Sequence, residues 1–593
     1  MVIGTSLHNP PGAADTVEML LPPTSLFLAA ILISPVLTLL NPPTPPASVL
    51  IVADPGLASP FGATSPEPNP SWRAVADQLS RRLPNFGTGV VCSSASCSEL
   101  PSLSSPPDVL LALGLSSPAA AASLSAYASR CPPAVVLADP SCGAAVLSLQ
   151  RAGPHRPGER ASGLLSALPF TRHASGKRLL ATAASLLGRS SSEDALYAML
   201  FALHAFVSPQ EVVASDINPS WEKGVLQNAR EFKKMADCCG PEIKAALTDP
   251  ETKSAIDLLN AVDLRDQVGS YRVIVSKETP QLEDFTLCVL QQNNCFGCDA
   301  PVLDRPRVPA LGSWGGEPLS EEAAARILTG HLDHPAAHPE GGGEAWSWRV
   351  ACGANPAYDA FPLQHQVFYP AKGGGKSLWY DPVFAVDTLG GERVWRKRHY
   401  KVAPRAHWSG RPGAYTLTTL DNGMVSDEKW TIVDAADDLE WAVLHYTGAA
   451  RRAGQSYVGA LLCTKDGRWP ESGKGGAGLE RIRKAFEACD LKLWELFGGS
   501  LEASTMWSNE NLRWAAENPA PLDPIGDLSI TAWRKQERAQ ERAQVTAEAV
   551  LKFDKEGRKK QQIGAVVLFL FSVVFDFFIT HHGVPFWSPD YVP

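Results

Sequence analysis

The sequence predicts a mixed chain: a small α/β segment, a helical region bearing cysteines, then an eight-stranded antiparallel β-barrel followed by a helix. Three observations lead there. Continuous apolar runs of strand length alternate with helical stretches before about residue 152, as in strands buried on both faces. Helix-period segments occupy 190–300. From Trp346 the pattern changes to short β-branched and aromatic runs bounded by Gly, Pro, Asp or Asn, which read as strands and turns.

The predicted division is 1–45, a targeting or anchor segment; 46–189, an α/β domain; 190–300, the helical Cys-bearing region; 301–343, a Pro/Gly-rich linker; 344–500, the barrel; 501–557, a charged helical tail; and 558–593, a C-terminal membrane anchor. In the first segment the apolar run Leu26–Leu40 is interrupted by Pro35, and no Lys or Arg precedes Arg73. In the last, Ile563–Ile579 follows Arg558, Lys559 and Lys560, a basic flank suited to insertion. Both runs sit at or below the usual membrane-spanning length.

In the α/β segment, "ASVLIVAD", "DVLLALGL" and "AVVLADP" are the strands, with helices over Trp72–Arg82 and Pro118–Ser129. No Gly-rich dinucleotide fingerprint follows the first strand, and no GxSxG elbow is present. The helical region opens with "SSSEDALYAMLFALHAF", serine caps and acids ahead of an apolar run. Its cysteines, Cys238, Cys239, Cys288, Cys295 and Cys298, suit disulfides, a redox pair or a metal. Cys295-x-x-Cys298 reads first as a disulfide or structural pair, because a zinc site needs a second ligand pair. His331, His334 and His338 fall in the Pro/Gly-rich linker and read as solvated loop histidines. No metal and no nucleotide is expected. A net charge of −9 argues against nucleic acid as a partner.

Eight runs between Trp346 and Thr464 form the barrel: "WSWRVACG", "QHQVFY", "WYDPVFAVDTL", "RVWRKRHYKV", "GAYTLTTL", "KWTIVDA", "EWAVLHYT" and "SYVGALLCT". In the fourth, alternation places Val394, Arg396, Arg398 and Tyr400 on one face. Eight antiparallel strands can close around one small apolar ligand, so a lipocalin-like carrier or enzyme is expected. The stretch "ANPAYDAFPLQHQVFYP" gathers aromatics, an acid and an imidazole between two prolines. Asp359 there is either a pocket acid or a turn cap.

Residues Trp348, Gly353, Asn355, Pro356, Asp359, Ala360, Phe361 and Gln364 match a pattern that resembles the opening of the lipocalin domain of violaxanthin de-epoxidases. Trp430, Ile432, Tyr446, Gly448, Tyr457, Gly459 and Ala460 resemble that family's last strand pair, closest to its de-epoxidase-related branch. The resemblance implies a lipocalin-like barrel that reduces xanthophyll epoxides with ascorbate as co-substrate, in a chloroplast, at the thylakoid membrane. It implies an apolar ligand, a xanthophyll, and membrane lipid as partners. Candidate general acids are Asp359 and Asp381, with Tyr380 and Tyr457 as hydrogen-bond partners. Gln364 would orient the reductant, and Trp348, Phe361 and His365 would bind substrate. The chain departs from the family at Gly390-Gly391, where an acid is expected, and in having fewer upstream cysteines. The alternatives are a non-catalytic carotenoid or lipid carrier and a membrane-tethered assembly factor.

Overall fold

The computed structural model describes residues 47–518 apart from 63–64, 66, 87–88, 153–178, 207–224, 263–265, 334–345, 371–377, 405–411, 422 and 499–504. Both apolar terminal runs, the charged tail beyond 518, His334 and His338 lie outside the described residues. Among the described residues no helix is long and apolar enough to cross a membrane.

The α/β segment forms a parallel sheet in the order β2-β1-β3-β4, from β1 (Ala47–Ala53), β2 (Val90–Ala95), β3 (Val109–Leu113) and β4 (Val135–Ala138); a short antiparallel β5 (Arg151–Ala152) ends it. Every residue of β3 is buried, because helices cover both faces. Val49, Ile51, Val109 and Leu111 pack under α1 (Trp72–Arg82) and α3 (Ser192–Phe206). Leu50, Val52, Leu110 and Ala112 pack under α2 (Pro118–Arg130). Ser71 caps α1 by accepting from the Ala74 amide, and Ser117 caps α2 by accepting from the Ala120 amide.

The strand order reverses between β1 and β3, where open α/β sheets usually bind ligands. Here that crevice is filled. Gly114 has φ +63°, and a Cβ there would lie 2.2 Å from the Trp72 ring, so Trp72 closes over the strand ends. Phe61 packs edge-on against both Trp72 and Trp494, at 5.7 and 6.3 Å.

The Cys-bearing helices are α4 (Val225–Thr248), kinked at Cys239 just before Gly240-Pro241, then α5 (Pro250–Ala261), α6 (Gln267–Ser276) and α7 (Pro280–Thr286), which runs on into Leu287–Gln292. A disulfide joins Cys239 to Cys288, with their Cα atoms 5.9 Å apart. Of the disulfide or structural pair expected at Cys295-x-x-Cys298, the disulfide is not made: Cys295 is a buried thiol. Burial and the neighbouring Cys238 push that thiol up to about 11. His331 is not a solvated linker histidine either. It sits edge-on to Trp348 at 5.0 Å, and its Nε2 lies 2.9 Å from the Leu439 carbonyl oxygen.

The barrel strands are β6 (Trp348–Gly353), β7 (His365–Pro370), β8 (Leu378–Asp387), β9 (Arg393–Lys397), β10 (Tyr400–Pro404), β11 (Ala414–Asp421), β12 (Met424–Ala435), β13 (Trp441–Ala450) and β14 (Gln455–Thr464). Eight of them close antiparallel, β7 pairing with β8 to complete the ring. The run "RVWRKRHYKV" is not one strand. It breaks at Arg398-His399, so β9 pairs with the second half of β8 and β10 with its first half. The ring therefore contains β10, and β9 is an added strand outside it. The base is closed by α8 (Glu321–Thr329), whose Ile327 carbonyl accepts from Trp348 Nε1 at 2.8 Å. The expected C-terminal helix, α9 (Gly476–Ala488), lays Ile482 and Phe486 on the outer face of β12–β14 against Val433, Val443 and Leu462.

Candidate functional site

At the end away from α8 the barrel holds a cavity of about 150 Å³, roofed by Gln267, Ser270, Tyr271 and Ile274 of α6. Two contacts hold the helical region across this mouth. The β11–β12 hairpin turns at Gly423 (φ +73°), where a Cβ would lie 2.7 Å from the Leu287 amide nitrogen. Gln291 then accepts from the Val425 amide at 3.0 Å.

The turn Pro356–Asp359 delivers the first acid. Asn355 caps it through the Ala357 amide and anchors to the barrel by donating from Nδ2 to the Val458 carbonyl at 3.0 Å. Asp359 lines the cavity and is 4% exposed. Its Oδ2 accepts from the Asn355 amide at 2.9 Å, and its Oδ1 accepts from the Tyr446 hydroxyl at 2.5 Å. Its two readings are thus both true in part: the carboxyl braces the turn and also faces the cavity. Burial pushes it up to about 7, against the downward pull of the Tyr446 hydrogen bond. The carboxyl lies against Gly353, where a Cβ would approach its Oδ2 to 2.7 Å.

Alternation along β8 decides the next candidates. Tyr380, Pro382 and Phe384 line the cavity, so Asp381 points outward. There its carboxylate meets His399 Nδ1 at 2.6 Å, Lys397 Nζ at 3.3 Å and the Tyr369 hydroxyl at 3.2 Å. Asp381 cannot serve a ligand in the barrel. On β7 the same rule puts Gln366 inside, accepting from the Tyr380 hydroxyl. His365 is outside, packed among Trp346, Trp395 and Trp507 at 5.8, 5.5 and 5.0 Å. Burial and the nearby Arg349 hold its imidazole well below the usual range, so it is neutral and not a cavity residue. Trp348 belongs to the floor against α8 rather than to the lining.

Phe361 does line the cavity, 4.4 Å from Phe384 and 5.7 Å from Tyr271. Gln364 lines it too, but its amide nitrogen donates to the Asp359 and Phe361 carbonyls at 2.6 and 3.0 Å, so it holds the acid's turn in shape. Tyr457 stacks on Tyr358 at 4.4 Å and donates to Glu428 at 2.7 Å.

Glu428 is the second acid. It is buried, accepting from Tyr457, from Tyr400 at 3.2 Å and from Trp430 Nε1 at 2.6 Å, and burial pushes its carboxyl upward. Period-two alternation from Trp430 and Ile432 back to Glu428 would have placed it inside. Tyr446 stood in a matched motif with no role assigned. Arg398 enters the cavity at the β9–β10 break, 4.6 Å over the Tyr271 ring. Tyr271 carried no signal in its own segment, since a helix from outside the barrel brings it in.

The recurring glycines have a geometric cause. Tyr446 pairs with Gly459 and Gly448 with Tyr457 across β13 and β14. A Cβ on Gly459 would lie 2.3 Å from the Tyr446 hydroxyl, and one on Gly448 would lie 2.4 Å from the Tyr457 ring. Each glycine lets a tyrosine lie across it, which keeps both hydroxyls aimed at carboxyl groups.

A closed eight-stranded barrel with a plugged base, an aromatic cavity that carries two carboxyl groups and a helix outside defines a lipocalin-type barrel, which fits a small apolar ligand. Residues 231–497 match the model of the VDE lipocalin domain, so this stretch is similar to the lipocalin domain of violaxanthin de-epoxidases. The matched stretch takes in the Cys-bearing helices, the barrel and α9; the α/β segment lies before it. No curated protein matches the chain.

Proposed function

We propose that the barrel is a de-epoxidase-type oxidoreductase acting on the ring end of a xanthophyll epoxide, with ascorbate as reductant, at a chloroplast membrane. The observation that carries this reading is Asp359: a carboxyl on an aromatic cavity, pushed up to about 7, can remain protonated and donate. A cavity of about 150 Å³ is of the order that accepts a single six-membered ring, so the ring enters and the polyene stays outside. As one C–O bond of the epoxide opens, its oxygen takes the Asp359 proton. The ascorbate monoanion supplies two electrons and one proton, and solvent supplies the second proton, which restores Asp359. The second C–O bond breaks, water leaves, the ring gains a C=C bond, and dehydroascorbate is formed. Arg398 offers positive charge to an anionic reductant, and Glu428 with Tyr400 and Tyr457 completes the polar side of the cavity.

A second reading, a pigment or lipid carrier, is favoured by the same carboxyl: both its oxygens already accept hydrogen bonds from the protein. The departure at Gly390-Gly391 does not favour it, because both glycines sit exposed in the β8–β9 turn and neither lines the cavity. Full-length protein mixed with violaxanthin liposomes, with and without ascorbate, tests the first reading by absorption. Ascorbate-dependent conversion should rise as pH falls through about 7, because the protonated acid is the working form. Pigment binding without conversion at any pH would establish the carrier.

A further inference from the structure

We propose that the α/β domain completes the barrel's acid site, with Glu193 as a positioning residue for Asp359. This rests on Asp359 as the cavity acid. Glu193 opens α3, in the layer that precedes the matched family domain.

The geometry is a buried charge cluster at the junction of the two parts. Arg82, at the end of α1, pairs with Glu193 on one side and with Glu495 at 2.6 Å on the other. All three side chains are at most 5% exposed. Gln78 of α1 and the Lys492 amide donate to the second oxygen of Glu495 at 2.5 and 2.7 Å. Glu193 Oε2, by contrast, has no hydrogen-bond partner among the described residues. Two carboxyl groups share one guanidinium, so the cluster carries surplus negative charge unless it also holds a proton.

From this cluster the chain runs directly to the acid. Two residues after Glu495, Phe497 exchanges backbone hydrogen bonds with Gly353, at 3.2 and 3.0 Å. Gly353 is the residue against which the Asp359 carboxyl rests. On the other side, Tyr197 of α3 donates to the Ser456 carbonyl at 3.3 Å, and Val458, whose carbonyl holds Asn355, packs into the α/β core. Burial is the main cause that pushes Asp359 and Tyr446 upward, and the Glu193 charge adds to it at both. The other charged or titratable groups around the pair include Glu428, which also acts on Tyr446, Arg81 and Asp490, paired with each other, Asp194 with Arg189 on or beside α3, and the Cys352 and Cys463 thiols behind Asp359.

The test is the protonation midpoint of Asp359 in the full chain without ligand, read as the infrared carboxyl band that Asp359→Asn removes. In Glu193→Gln that midpoint should fall by about one pH unit, a tenfold change in the ionisation equilibrium. Glu193→Asp, which keeps the charge, should restore it. An unchanged midpoint in folded Glu193→Gln overturns the inference. If that variant does not fold, the charge-free rebuild R82M/E193L/E495L replaces the cluster with apolar side chains and should show the same fall; an unchanged midpoint there is equally fatal. The two readings fail separately. A shifted midpoint with no de-epoxidation in the parent chain sinks the enzyme reading alone. Conversion that needs Asp359 but a midpoint blind to Glu193 sinks only this one.

Discussion

At the scale of single residues, two carboxyl groups in one small cavity do different work. Asp359 has two partners, a backbone amide and a phenol, and carries a group perturbed mainly by burial. Asp359→Asn keeps size and can still brace the turn. In the enzyme it should cost about 100- to 10,000-fold in turnover while pigment binding persists; normal turnover would remove Asp359 from the chemistry. The same group sets a pH dependence of stability. Its folded value, about 7, lies above the unfolded value near 4. The native state therefore holds the extra proton between these limits, and stability falls as pH rises from about 4 to about 7. Asp359→Asn should flatten that slope, which urea titrations at several pH values would show. Glu428 collects three donors. Glu428→Gln offers a single acceptor oxygen and turns a donor toward them, so melting experiments should register a loss of about 1–3 kcal/mol.

Elements set access to these groups. The roof helix α6 meets the barrel through Tyr271, which packs on Phe361 and Phe384 and beneath Arg398. Tyr271→Ala should enlarge the cavity and speed ligand entry, at a stability cost of about 3 kcal/mol for the lost ring. Stopped-flow uptake of a ring-sized apolar fluorophore checks this, and an unchanged entry rate would mean that ligands enter elsewhere. Behind α6, the Cys239–Cys288 bond closes a loop of 49 residues, for which chain entropy gives about 4 kcal/mol. Cys239→Ser with Cys288→Ser should lower the melting temperature, whereas Cys295→Ser should do so far less. Cys295, buried and pushed up to about 11, should also resist alkylation at neutral pH until the chain is unfolded.

For the whole molecule, the α/β layer and the barrel are joined by a buried ion cluster and by shared apolar packing of Trp494 and Val458. Among the described residues, Trp72 and Phe61 fill the crevice of the α/β sheet at the strand reversal. On the proposal made above, this layer acts on the barrel site through Glu193 and the barrel wall. Membrane attachment through Leu26–Leu40 or Ile563–Ile579 is a proposal that rests on their apolar sequence. Full-length protein should stay with membranes through high salt and alkaline carbonate, and deleting 558–593 should release it if the C-terminal run is the anchor. Loss into the carbonate wash by the intact chain would refute anchoring.

The sequence by itself determined the layers. Continuous apolar strands foretold the sheet covered on both faces, and "WTIVDA" and "SYVGALLCT" foretold barrel strands, because residue type and period two are local properties. It also pointed to Asp359, Phe361, Tyr380 and Tyr457, all of which line the cavity. Only the tertiary structure decided facing and partnership. Asp381 and His365 have the right chemistry on the wrong side of their strands, since a single step along a strand reverses the face. Cys239 found Cys288 rather than the CxxC pair forming, because the kink within α4 lies beside the segment after α7. Glu428, Tyr271 and Glu193 reach or influence the site from β12, α6 and α3, segments far apart in the chain. Their roles come from closing the barrel and docking helices on it, and no local pattern encodes that.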